Sequence, residues 1–153
     1  MENLNQLLRE HDFLKGVDDV LVGLLAAYAE EVHFEPGEYM FHESEEATKF
    51  YLICEGKVEL QMYAPGRGNV VIETLGPNEV VGWSWLVRPH HWHLSAKVSH
   101  RIRAVSLDAK ALIHQCESNH DLGYEMLKRL VNVISHRLLR TRLKIIEAYE
   151  VDV

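Results

Sequence analysis

The sequence predicts a mainly β fold with flanking helices: an eight-stranded jelly-roll (double-stranded β-helix) barrel with N-terminal helices before it and a long C-terminal helix after it. Two observations carry this expectation. The apolar period changes from helical to two at Phe34 and returns to helical after Asp108. Between those points, short alternating runs are separated by Gly, Pro and Asn turns, as in a small antiparallel barrel. A chain of 153 residues can bury one proper core, so a single domain over 1–153 is expected. Its helices fall in 1–32, its barrel in 33–107 and its last helices in 108–149.

Taken in order, Leu4, Leu7 and Leu8 share one helical face, which breaks at Lys15–Gly16. A second helix is expected to carry Val20, Leu21, Leu24, Leu25 and Tyr28, with Asp18 and Asp19 favouring the positive end of its dipole. Pro36–Gly37–Glu38 then marks a turn. Strands are read at 39–42, 50–54, 57–63, 70–75, 96–98 and 102–107. In the third, Val58, Leu60 and Met62 alternate with Lys57, Glu59 and Gln61. Asp108 is the expected N-cap of a helix over 109–117, and Asn119 or Asp121 starts a longer one running to about Ala148. At 1.5 Å per residue that helix is roughly 40 Å long. Its apolar stripe of Leu127, Leu130, Ile134, Leu138 and Ile145 therefore outruns one small barrel and is expected to pair with a second copy.

Composition narrows the function. Sixteen basic against 23 acidic residues gives a net charge of -7, a poor field for a polyanion, so no nucleic-acid partner is expected. Asp18, Asp19, Glu30 and Glu31 interrupt the apolar stretch of 17–32, and the N-terminus lacks a basic-then-apolar leader. No membrane partner is expected, and a cytoplasmic location is. Cys54 and Cys116 match no disulfide framework or metal spacing and read as small buried apolar residues.

Three segments in order carry a resemblance: Phe34-x-Pro36-Gly37-Glu38, then Phe50-Tyr51-Leu52-Ile53-x-x-Gly56-x-Val58, then Leu75-Gly76-Pro77-Asn78-Glu79-Val80-Val81-Gly82. Together they resemble the cyclic-nucleotide-binding domain, the effector domain of the catabolite-activator regulators and of the regulatory subunits of cyclic-AMP-dependent kinase. The resemblance implies a regulatory sensor whose ligand is cyclic AMP or cyclic GMP. It further implies that Gly82 lets backbone approach that ligand at the start of a short helix, where exposed amides favour a phosphate. The family loop reads approximately Gly-Glu-x-Ala-Leu, followed by Arg-Ser/Thr-Ala. Its glutamate takes a ribose hydroxyl and its arginine pairs with the phosphate.

Here Trp83 stands in the glutamate position, and Trp92, or His91 or His93 after a slip of one residue, stands for the arginine. An indole N–H donates one hydrogen bond and accepts none, so it cannot replace the carboxylate. The expected ligand-binding residues are Gly82, Trp83, Ser84, Trp85, Leu86, His91, Trp92, His93 and Ser95, with the tryptophans lining either an aromatic pocket or the core.

Two other readings stand beside this one. His91-x-His93, with His33, His42 and Glu43 elsewhere, allows a cupin-like metalloenzyme, although a site needs about three aligned ligands. A ligand-free interaction module is the other. No catalytic residue or metal site is assigned. In the regulators the long helix leads into a DNA-reading element. None follows Tyr149 here, so a separate output protein is expected.

Overall fold

In a computed structural model that describes residues 3–151, each N-terminal helix starts on a side-chain cap. Asn3 Oδ1 accepts from the Gln6 amide at 2.8 Å to open α1 (Leu4–Glu10), satisfying a donor that the helix itself leaves free. A 3-10 turn (Asp12–Leu14) buries Phe13 and Leu14. Asp18 caps α2 (Asp19–Ala26) in the same way through the Val20 amide. The expected face of α2 is corrected: Val22 and Leu25 are buried, whereas Val20 is 73% exposed. Tyr28 lies beyond the helix end. The cause is long-range pairing. Strand β1 (Ala29–Phe34) is zipped to the last strand from Ala29–Leu107 to Phe34–Ile102, so extended structure begins four residues before the expected barrel start.

The remaining strands are β2 (Tyr39–Phe41), β3 (Lys49–Ala64), β4 (Gly68–Leu75), β5 (Val80–Val81) and β6 (Ser95–Asp108). All pairings are antiparallel, in the order β1-β6-β3-β4, with β2 also on β6 and β5 also on β3. The strands read separately at 50–54 and 57–63 are one bent strand, β3, and those at 96–98 and 102–107 are likewise β6. Their mutual register slips between Ile53 and Val58, and bulges of this kind bend a strand without ending it. Counting each bent strand as two recovers the eight-strand plan. Gly56 sits at the bend with φ +96, and a Cβ there would run into the Arg101 carbonyl. Only glycine fits both demands. The interior is built by Phe50, Leu52, Ile53, Val58, Leu75, Val81, Val98, Ile102 and Leu107, each at most 1% exposed.

The chain divides into two compact units, one through Gln115 and one from Cys116. In the first, Asp108 Oδ2 accepts from the Ala111 amide and caps α3 (Ala109–Ser118), as expected. In the second, Asn119 Oδ1 accepts from the Leu122 amide at the start of α4 (His120–Val151), 32 residues long. Gly123 lets α4 pass the end of α3, since a Cβ would stand 2.9 Å from the Cys116 carbonyl. Cys54 and Cys116 are half-buried rather than buried, and burial pushes the Cys116 thiol pKa up. Among the described residues no helix is long and apolar enough to cross a membrane.

Candidate functional site

The segment from Val80 to Ala96 grows out of β5, whose Val80 and Val81 are buried against Leu52 and Tyr51 of β3. At its end Gly82 adopts φ 93 and ψ 56, a left-handed conformation that an L side chain resists. This turns the chain into a 3-10 helix over Trp83–Trp85. Ser84 and Trp85 point inward and are buried; Trp85 packs at a tilt on Phe50 with ring centres 5.7 Å apart. Its Nε1 is buried with no hydrogen-bond partner among the described residues. Trp83 stays half-buried and meets the exposed His93 edge-on at 5.8 Å. Leu86 and His91 are exposed, and His91 Nδ1 lies 2.9 Å from the Pro89 carbonyl.

Trp92 behaves differently from its neighbours. It is 4% exposed and lies flat on Phe41, with ring centres 3.7 Å apart and planes 11° apart. A Cβ built on Gly82 would sit 2.5 Å from Trp92 Cη2 and Cζ3, so the far edge of the indole abuts the bare glycine. Backbone bonds hold the ring there. The Trp92 amide donates to the Glu45 carbonyl, and the Ser44 amide donates to the Trp92 carbonyl, both at 2.8 Å. The Ala47 amide donates to the His90 carbonyl at 2.7 Å. Trp92 thus alternates inward between two outward histidines. His91 and His93 face solvent, and among the described residues no group of three or more His, Cys, Asp or Glu could hold a metal ion.

Of the expected ligand residues, the structure brings Gly82 and Trp92 together and sets Trp83 beside His93. Ser95 is buried and occupied, its Oγ accepting from the Glu43 amide at 2.8 Å. The residue directly before Ser95–Ala96 is Leu94, half-buried and uncharged. No Lys or Arg side chain is buried between Val80 and Ala96, where Arg88 is exposed.

Two further hollows were not legible in the sequence. A cavity of about 530 Å³ is lined by Tyr39, His42, Glu43, Tyr63, Asn69 and Ser95 among others. Tyr39 and His42 stack there at 4.4 Å. Its residues come from β2 and the turn after it, from both arms of the β3–β4 hairpin and from β6, so only the folded sheet assembles it. A smaller one, about 240 Å³, lies among Leu7, His11, Cys54 and Arg103.

Comparison with known proteins places this geometry. A family model described as "Cyclic nucleotide-binding domain" matches residues 31–119. A "CRP-like cAMP-activated global transcriptional regulator" of Mycobacterium tuberculosis is 25% identical over 150 residues, covering 98% of this chain; the chain spans 65% of that regulator's length. A protein of Geobacter metallireducens assigned as cyclic nucleotide-binding is 28% identical, with a TM-score of 0.78 over 90% of this chain and 99% of its own. A cyclic nucleotide-binding domain from Methylobacillus flagellatus shares the fold at 17% identity, with a TM-score of 0.80 over 95% of this chain and 82% of its own.

Proposed function

Because this chain belongs to the cyclic nucleotide-binding domain family, we propose that it is a non-catalytic regulatory sensor domain that meets a small effector through residues 82–95 and responds through α4. The observation that supports this reading most is the retained turn at Gly82, left-handed and leading into a 3-10 helix. That turn is the family's ligand cradle by resemblance. Its surroundings do not suit the family's ligand. Trp83 offers a donor where a ribose hydroxyl needs an acceptor, neither Leu94 nor Trp92 carries a charge for a phosphate, and Trp92 covers the glycine. Charge-assisted hydrogen bonds of the missing kind contribute about 1.5–3 kcal/mol each, so their loss weakens nucleotide capture by orders of magnitude.

The M. tuberculosis relative is named as cAMP-activated, which makes cyclic AMP the first compound to test. Calorimetric titration with cyclic AMP and cyclic GMP is expected to show no saturable binding in the micromolar range. Micromolar or tighter binding of either would overturn the loss of the family's contacts.

The output is proposed to be a homodimer. Leu127, Leu138 and Ile145 are 48%, 48% and 52% exposed on α4, Ile134 is half-buried and Leu130 is buried. The exposed members are apolar surface that a second copy would cover. A ligand-free interaction module is the second reading, favoured by the burial of Trp85 and Trp92. It differs in expecting no small molecule to shift the thermal midpoint.

A further inference from the structure

We propose that Trp92 is the specificity-determining residue of the Gly82 cradle: its indole is an internal ring that takes the place of an external one. This deepens, and rests on, the reading of residues 82–95 as the effector segment. Three observations converge on it. Gly82 is left-handed with a bare Cα, a position where something can come closer than any side chain would allow, and what comes close is the far edge of the Trp92 indole. The face of the same ring lies on Phe41 in near-parallel contact. Three backbone hydrogen bonds between residues 44–47 and 90–92 then fix the ring in place, so its position is built into the chain path.

The shape of the space follows from what fills it. It is a flat slot, bounded by the Phe41 face and the Gly82 backbone, and no cationic side chain is buried in the segment that frames it. The chemistry it accepts is an uncharged planar aromatic ring rather than an anion. Removing the indole should leave a cavity that a free ring of the same size refills, because apolar cavities left by truncation stay dry and bind small aromatics.

The test uses Trp92→Ala and indole as the probe, with thermal midpoint and calorimetry as readouts. The variant is expected to melt below wild type and to regain part of the loss saturably as indole is added. Its apparent affinity for indole should exceed that of wild type by at least about tenfold. A folded variant that indole does not stabilise would overturn the proposal. Should Trp92→Ala fail to fold, Trp92→Leu keeps more apolar volume and takes the same titration with the same expectation. Independently of either variant, the unaltered protein should show a nuclear Overhauser contact from Gly82 Hα to the Trp92 Hη2 or Hζ3 proton, and its absence also overturns the assignment. The broader sensor reading is tested on wild type by whether any small molecule shifts its thermal midpoint, so the two can fail separately.

Discussion

Gly56 and Gly37 share a left-handed backbone, with φ of 96 and 92, but not a neighbourhood. A Cβ on Gly37 would meet nothing within 4 Å, whereas one on Gly56 would strike the Arg101 carbonyl. Gly37→Ala is therefore expected to destabilise by about 1 kcal/mol through conformation alone. Gly56→Ala is expected to lose roughly 2–4 kcal/mol, because the clash adds to the strain. Urea unfolding midpoints of the two variants check the difference. His11 makes a second residue-scale case. It is 3% exposed, its Nε2 lies 2.9 Å from the Ile53 carbonyl, and its Nδ1 accepts from the Phe13 amide. With Nδ1 as the acceptor, Nε2 carries the proton and donates, so the neutral ring satisfies both contacts. Protonation would remove the acceptor. Burial accordingly lowers its pKa below the usual 6.5, against smaller opposing effects from the Ile53 carbonyl and Asp12. The folded state thus binds this proton less readily than the unfolded chain. Its stability contribution is complete above the unfolded pKa and declines as pH falls through about 6.5 toward the lowered folded value. Glu31, held low first by Arg103 and then by His33, contributes fully above the ordinary carboxylate range and loses that contribution as pH falls below it, a separate window. Melting temperatures at pH 7.5 and 5.5 should fall in wild type, and His11→Gln should flatten that slope; equal slopes would contradict this role for the buried imidazole.

At the scale of elements, what could be read in advance depended on how local its cause was. Caps act within three residues of themselves, so Asp108 and Asn119 could be anticipated, whereas Asn3 was not and Asp18, expected in the first turn of α2, is instead its N-cap. The β alternation of Val58 and Leu60 is likewise local, and both are buried, while Met62 near the hairpin end is 44% exposed. The fusion of short strands into β3 and β6 was not legible. It arises from register slips between segments some forty residues apart in sequence. The same long-range pairing ended α2 early. For α4, Leu130 of the expected stripe is buried and so drops out of an exposed seam; with the exposed Val131 in its place, Leu127, Val131, Ile134, Leu138 and Ile145 recur in steps of three, four and seven, the spacing of a two-helix seam. Wild type is therefore expected to run at twice the 17.7 kDa chain mass in light scattering at tens of micromolar. Leu138→Glu should return it to one chain by placing a charge in the seam. A monomeric wild type would defeat the helix-pairing proposal.

For the whole molecule, the family frame was visible in the sequence, but the fate of the tryptophans was not. Trp83, Trp85 and Trp92 lie within ten positions and go to three environments: half-buried beside His93, buried on Phe50, and laid between Phe41 and Gly82. Nothing in their spacing separates these, because Phe41 and Phe50 come from distant strands that only the folded sheet brings near. The fold accordingly keeps the family's framework while the Trp92 side chain covers Gly82. A double-mutant cycle of Gly82→Ala and Trp92→Leu, followed by urea unfolding, tests that claim most directly. In wild type, Gly82→Ala should lose roughly 2–4 kcal/mol from clash plus strain, and in the Trp92→Leu background only the strain of about 1 kcal/mol should remain. An equal loss in both backgrounds would show that the indole does not rest on Gly82, and would contradict the account at its centre.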